Sequence, residues 1–222
     1  MIDKNINNGL RFFGSITASV SHEIKNHIAV INEYAGLLED LVLMAKQGKE
    51  VESERLFDIS GKIKKQVAAA DKVIGNLNKF GHTTDNFYYP ADINEVLILS
   101  VNLFKRILII KDINLETALF KTPIIVNTSS FLLMNLILSS LENFSMLMEI
   151  GNTVKIGCET DKKGAVVFIS SGNDLTKNVD GSFFLKNSAA RLLSELKAEI
   201  FFNVNEKKLI ITLQADATCL QD

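Results

Sequence analysis

The chain has 222 residues, of which 47% are apolar and 23% charged, and its formal net charge is -2 at pH 7. These values are typical of a folded globular protein with one large domain or two small ones. They provide no basic field for nucleic acid, and two cysteines are too few for a disulfide framework or a four-cysteine zinc site. The longest apolar stretch, residues 131–141, is too short to span a bilayer, and the N-terminus lacks the apolar core of a signal peptide. We therefore expect a cytoplasmic protein without nucleic-acid binding or membrane insertion.

The first third of the chain predicts two long helices. Apolar residues recur at intervals of three and four from Phe13 to Val42 and again from Leu56 to Leu77, which is the spacing of one helix face. The polar run 46–50 separates the two stretches, so we expect an antiparallel hairpin. Because two helices have no third wall to cover both apolar faces, two copies are expected to pair as a dimeric four-helix bundle. Cover by the C-terminal part of the same chain is the alternative.

The remainder of the chain predicts an α+β layer after a polar link at residues 81–86. The expected elements are a helix at 92–111, short strands at 113–119 and 123–126, a helix at 131–148 capped by Ser129 or Ser130, a strand hairpin at 153–159 and 165–170, a helix at 182–196, and a final hairpin at 200–204 and 209–213. We expect the helices to cover one face of a mixed sheet. The predicted domains are therefore a helical hairpin at 1–84 and an α/β domain at 85–222.

Candidate catalytic side chains lie in the first helix. His22 lies nearly opposite the apolar stripe at about 100° per residue, so its imidazole should face water together with Asn26. A neutral imidazole is a competent nucleophile near neutral pH, and the adjacent Glu23 could accept or hold the proton of its other ring nitrogen. The alternative is an exposed surface histidine without a function.

The run Ser-His-Glu-Ile-Lys-Asn at residues 21–26 resembles the phosphoacceptor box of two-component histidine kinases. The resemblance implies that His22 is the phosphorylated residue and that Glu23 is its general base. It also implies that Glu23 and Asn26 could help to dephosphorylate a response regulator. His27 replaces the usual proline of the box; we expect it to pack in the core, and we expect His82 to lie in the linker.

Residues 89–97 are similar to the opening of the ATP-binding domain of these kinases, and the later elements follow in the same order. Two nucleotide boxes are nevertheless changed. In the run 135–140, Ser139 stands where the family has an asparagine that holds Mg²⁺. In the run 167–175, Ser170 replaces the aspartate that binds the adenine amino group, and Asp174 replaces a glycine. A carboxylate at Asp174 would lie near the polyphosphate, which is electrostatically unfavourable.

The glycine-rich lid box of the family is also altered. Phe183 and Phe184 occupy the run 181–185, where backbone N–H groups normally cradle phosphate, and we expect these rings to pack in the core. A register shift would bring Asn143 into the magnesium-binding position, but Phe144 would then replace the small residue expected next. The three changed boxes together predict that ATP is not bound.

A retained phosphoacceptor beside an ATPase-like domain without intact nucleotide boxes resembles the histidine phosphotransferases of bacterial phosphorelays. The resemblance implies that His22 passes a phosphoryl group between receiver-domain aspartates, with Mg²⁺ supplied by the receiver and no cofactor of its own. The expected partners are a response regulator receiver domain and a second copy of the chain. The alternatives are a divergent ATP-dependent sensor histidine kinase, and a pseudokinase binding module or phosphatase acting on a response regulator.

Overall fold

The computed structural model describes residues 4–110, 112–149, 151–161, 164–172, 175, 183–184 and 189–214. By compactness the chain divides into two units, one of residues 15–78 and one that combines residues 1–14 with residues 79–222. The domain boundary that the sequence predicts after residue 84 stays a prediction. The α+β fold class is confirmed, because a long helical hairpin precedes a layer of helices and strands.

The hairpin consists of α1 (Lys4–Lys46) and α2 (Ser53–His82). With 43 residues, α1 is about 65 Å long at the usual rise per residue. No proline interrupts either helix, and Gly48 in the connection adopts a left-handed backbone with φ of 75°. Both helices therefore match the two stretches that the apolar spacing predicts.

The buried side chains of α1 coincide only in part with the predicted stripe. Ile16 and Val20 are buried as expected, and so is Leu41, which lies outside the stripe. Ile28 and Val42 belong to the stripe but remain exposed. The apolar face of α1 is therefore wider than the neighbouring helix covers, and one edge of it stays in water.

The remaining elements are β1 (Tyr89–Asp92), α3 (Ile93–Ile110), β2 (Asn114–Ala118), β3 (Ile125–Thr128), α4 (Ser130–Ser145), β4 (Thr153–Asp161), β5 (Gly164–Ser171), α5 (Ala189–Leu196), β6 (Ala198–Asn203) and β7 (Lys208–Gln214). Ser129 caps α4, as predicted, by accepting a hydrogen bond from the Leu132 amide. The predicted helix at 182–196 is described only from Ala189 onward apart from the short turn at Phe183 and Phe184, and the rest of that range lies outside the described residues.

Five strands form the main sheet in the order β2-β4-β5-β7-β6, with β2 parallel to β4 and the other pairs antiparallel. Helix α3 packs on β2 and β4, α5 packs on β6, and α4 contacts both α3 and α5. The predicted strand at 123–126 is shifted to Ile125–Thr128. It pairs with β1, a strand that the sequence did not predict, in a separate two-stranded sheet.

A glycine permits the close approach of β2 and β4. A Cβ atom on Gly157 would lie 2.3 Å from the carbonyl oxygen of Ala118 and 2.5 Å from Cζ of Phe168. Real Cβ atoms do not approach backbone so closely, so only glycine fits at this point of the sheet.

Candidate functional site

His22 lies near the middle of α1, and its side chain is exposed, as the helical spacing predicts. The helix continues without a break for many residues on both sides, so the backbone that carries the imidazole is held by regular hydrogen bonds. An exposed ring on a rigid helix is accessible to another protein. The role of His22 as a phosphoacceptor stays a prediction.

Glu23 and Asn26 flank the imidazole in different ways. Asn26 is one turn beyond His22 and is exposed, and residues four apart on a helix are surface neighbours. Glu23 is half-buried, because the next position on a helix is turned by about 100° from His22. The three side chains thus offer a nucleophile, a carboxylate and a carboxamide within about one helical turn.

His27 and His82 each form a hydrogen bond with another side chain. Nδ1 of His27 lies 2.7 Å from Oε1 of Gln66 on α2, and the pair is partly buried. We expected His27 to pack in the core; it is instead half-buried and forms a hydrogen bond across the hairpin. His82 was expected in the linker but is the last residue of α2; its Nδ1 lies 2.8 Å from Oδ2 of Asp85, and both side chains are exposed.

The altered position in the asparagine box is turned toward its own helix. The hydroxyl of Ser139 donates a hydrogen bond to the carbonyl oxygen of Leu136 at 3.0 Å. Asn135 and Glu142 precede and follow Ser139 by about one turn, and all three are half-buried, so they lie on one side of α4. Glu142 was not among the residues predicted for this site, although its spacing from Ser139 could have identified it.

Ser170 lies on the side of β5 that also carries Phe168. Its antiparallel neighbour Lys208 lies over the Phe168 ring at 4.3 Å and forms a 3.0 Å ion pair with Glu159. Ser171 points to the opposite, buried side together with Ile169. At the end of this strand the side chain directed to the core is therefore Ser171, which the sequence analysis did not single out. Asp174 lies outside the described residues.

Phe184 is part of the core, as predicted. Its ring lies 5.1 Å from that of Phe202 and 6.3 Å from that of Phe144, and its side chain is almost fully buried. Phe183 is half-buried and lies edge-on to Phe184 at 5.3 Å. The other residues of the lid box, at 181–182 and 185, lie outside the described residues.

A buried polar cluster holds the connection between β2 and β3. The side chain of Asn94 donates to the carbonyl oxygens of Phe120 and Thr122 and accepts from the Phe120 amide. The thiol of Cys158 donates to the same Asn94 oxygen at 3.0 Å. Burial raises the pKa of the Cys158 thiol, which favours the neutral thiol that donates this hydrogen bond.

Residues 4–110, 112–149, 151–161, 164–172, 175, 183–184 and 189–214 contain neither a cluster of metal ligands nor a membrane span. Within them, no group of three or more His, Cys, Asp or Glu side chains could hold a metal ion. Within the same ranges, none of the helices is both long and apolar enough to cross a bilayer.

No protein-family model and no curated protein matches this chain. Among solved structures it is similar to the histidine kinase AdeS of Acinetobacter baumannii, with 16% identity, a TM-score of 0.47, and coverage of 82% of this chain and 95% of that chain. It is also similar to a bacterial phosphotransferase, with 12% identity, a TM-score of 0.46, and coverage of 90% and 94%. A third is the histidine kinase ThkA in complex with the response regulator protein TrrA, with 13% identity, a TM-score of 0.47, and coverage of 95% and 64%. At these identities and TM-scores the similarities assign no residue roles to this chain.

Proposed function

We propose that this protein is an ATP-independent histidine phosphotransferase that moves a phosphoryl group between receiver-domain aspartates of response regulators. The observation that carries the proposal is the exposed imidazole of His22 on an unbroken helix, with Glu23 beside it and Asn26 one turn further on. This set supplies a nucleophile, a proton-holding carboxylate and a polar amide on a surface that a second protein can reach.

The transfer step needs no nucleotide because an aspartyl phosphate is already an activated donor. A lone pair on a ring nitrogen of His22 attacks phosphorus and forms a P–N bond. The P–O bond to the donor aspartate breaks, and that aspartate leaves as a carboxylate. Glu23 stabilises the proton on the other ring nitrogen, and the charge of the phosphoryl oxygens would be offset by the Mg²⁺ that the receiver brings. The reverse step on a second receiver restores the free imidazole.

Three features of the α/β unit support transfer without ATP. The hydroxyl of Ser139 donates a hydrogen bond to the Leu136 carbonyl of its own helix, and this hydroxyl replaces the magnesium-binding amide of the family. The carboxylate of Glu142 lies on the same side of α4, where it would repel polyphosphate. Phe184 packs in the core against Phe144 and Phe202, in the run where the family has its phosphate-binding glycines.

Exposed apolar side chains on the hairpin support a homodimer as the functional state. Its exposed apolar residues Ile28, Val42, Val67 and Ile74 have exposed fractions between 41% and 52%, and they belong to the two predicted stripes. A second copy of the hairpin would cover both stripes in a four-helix bundle.

The decisive experiment uses the receiver domains encoded in the same genome, each charged with ³²P-labelled acetyl phosphate and Mg²⁺. At least one charged receiver should label the wild-type protein, and His22→Ala should take no label. His82→Ala is the matched control, because it removes another exposed histidine and should be labelled like wild type. Equal labelling of His22→Ala, or no labelling of the wild type by any receiver, would contradict the proposal.

A kinase is the second candidate, and Asn135 favours it because an amide remains on the half-buried side of α4. Incubation with γ-³²P-ATP and Mg²⁺ separates the two activities. Label on His22 without any receiver would support the kinase, and its absence together with labelling by a receiver would support the phosphotransferase.

Unchanged receiver binding by His22→Ala, without any transfer by the wild type, would indicate a binding module. Asn26→Ala tests phosphatase activity, because it should slow loss of receiver phosphate while transfer persists.

A further inference from the structure

A hydrogen bond joins the two helices of the hairpin close to His22. Nδ1 of His27 and Oε1 of Gln66 are 2.7 Å apart, although 39 residues separate them in sequence. Because an amide oxygen can only accept, this contact is a hydrogen bond when Nδ1 of His27 carries the proton and donates it. The contact with α2 therefore favours the tautomer of His27 that is protonated at Nδ1.

A short stretch of continuous helix connects His27 to His22. Five residues of α-helix correspond to about 7.5 Å along the axis and about 140° around it. The amide of His27 also takes part in the helical ladder, in which residue i donates to the carbonyl of residue i−4, here Glu23. A proline at position 27 would have neither this amide nor a side chain able to bind Gln66.

The hydrogen bond selects one rotation of α1 against α2. The other half-buried side chains along the hairpin are mostly apolar, among them Ile24, Ile31 and Ile63. Apolar packing is non-directional and tolerates small rotations of a helix, whereas a polar pair within an apolar seam specifies one register. Because His22 lies on the same continuous helix, the direction in which its ring is presented depends on this register.

We propose that His27 is a positioning residue for phosphotransfer, and that its hydrogen bond to Gln66 holds α1 at the rotation that aligns His22 with the phosphorus of a docked receiver. The inference rests on the phosphotransfer function proposed above. Gln66 on α2 contributes to the same positioning as the hydrogen-bond acceptor of His27.

Two phosphoryl donors distinguish positioning from general reactivity. Phosphoramidate is a small donor whose P–N bond breaks with release of ammonia when the imidazole attacks, and it needs no aligned docking. A receiver domain charged with acetyl phosphate needs the correct approach. Gln66→Leu removes the acceptor at similar size, and Gln66→Glu keeps an acceptor for the Nδ1 proton of His27.

Gln66→Leu should slow the transfer step from a saturating charged receiver by about tenfold or more, since small misplacements of reacting groups are costly. The receiver concentration at half-saturation and the labelling by phosphoramidate should stay as in wild type. Gln66→Glu should recover most of the lost rate. The ¹⁵N chemical shifts of His27 should show a protonated Nδ1 in wild type and a changed tautomer balance in Gln66→Leu.

Each contrary result has a separate meaning. Equal transfer rates in wild type and Gln66→Leu would overturn the positioning role and leave the proposed function intact. An equal loss with both donors would also overturn it, because the damage would then be general. If no charged receiver labels the wild type, both the positioning role and the proposed function fail.

Discussion

The two histidines of α1 differ in surroundings although only five residues separate them. Five helical positions turn the side chain by about 140°, so His22 faces water while His27 turns toward α2 and binds Gln66. The ring of His22 is exposed, whereas the ring of His27 is half-buried. Helical periodicity is sufficient to predict this difference, because it depends on local geometry alone.

Cys158 shows the opposite case, in which the surroundings come from distant parts of the chain. Its thiol is buried in β4 and donates to Asn94 of α3, a residue 64 positions earlier. Burial is the main cause of its raised pKa; a backbone hydrogen bond involving Phe120 lowers the pKa, and the negative charges of Asp92 and Glu159 raise it. Nothing in the residues next to Cys158 indicates this environment.

The raised pKa of Cys158 predicts an alkaline loss of stability. In the unfolded chain the thiol titrates at its ordinary pKa of 9.0, whereas the folded chain keeps the proton to higher pH. The unfolded state therefore releases its proton first, and the stability that is present below pH 9.0 decreases as the pH rises through the folded pKa. Urea denaturation between pH 7 and pH 10.5 should show a smaller decrease for Cys158→Val than for wild type.

A second variant isolates the contribution of the cysteine. The pKa of Tyr88 is raised mainly by burial and also by Glu195, so this tyrosine adds a decrease of its own at higher pH. Tyr88→Phe should reduce only that later part. Identical pH profiles for Cys158→Val and wild type would contradict the assignment.

At the scale of elements, the hairpin has more apolar surface than its two helices cover. The buried side chains Ile16, Val20 and Leu41 define the inner side of α1, while Ile28 and Val42 remain on an exposed edge. An apolar face of this width is typical of a helix with neighbours on two sides. A second hairpin would supply the missing neighbour.

Val67→Glu should weaken the proposed dimer. Val67 lies on α2 among the exposed apolar residues, and a charge buried there between two copies would lose its hydration without gaining a partner. Multi-angle light scattering should give twice the chain mass of 24.6 kDa for wild type and a shift toward the monomer for the variant, with the dissociation constant raised on the order of tenfold or more. Lys64→Glu, at an exposed polar position of the same helix, is the control and should remain dimeric. A monomeric wild type at all concentrations would eliminate the dimer.

At the scale of the whole molecule, the α/β unit includes both ends of the hairpin. The ring of Phe12 lies 5.5 Å from Phe80, 6.3 Å from Phe104 and 5.2 Å from Phe131, so residues of four helices form one aromatic cluster. Phe13 stacks on Phe80 at 5.4 Å at the edge of the same cluster. Sequence patterns locate each ring on its helix but do not show that the rings meet.

Phe80→Ala should therefore destabilise the α/β unit although the residue lies on α2. The side chain of Phe80 is 0% exposed, and truncation of a buried phenylalanine costs about 3–5 kcal/mol. Phe57→Ala on the same helix is the control, because Phe57 is 82% exposed and its loss should leave stability nearly unchanged. Both values can be measured by urea denaturation followed by circular dichroism. If Phe80→Ala lowered the free energy of unfolding as little as Phe57→Ala does, the cluster would add no stability.

Strand prediction succeeded for the longer apolar runs and was incomplete for the shortest strands. The strands β4 and β5 have nine and eight residues, the second with a continuous apolar run from Ala165 to Ile169, and both were predicted. The strand β1 has four residues including Pro90, which provides no amide for a ladder, and it becomes a strand only through its pairing with β3. The direction of Ser170 and Ser171 was not predicted either, because it depends on which side of β5 is covered.

The amino-acid sequence by itself determined the long hairpin, the exposure of His22 and most of the helices and strands, because periodicity and capping act between residues close along the chain. Only the tertiary structure decided the order of the five-stranded sheet, the hydrogen bonds from His27 to Gln66 and from Cys158 to Asn94, and the meeting of the phenylalanines. These features join residues that are far apart in sequence. Chain folding brings them together through the combined packing of the whole core, which no local pattern encodes.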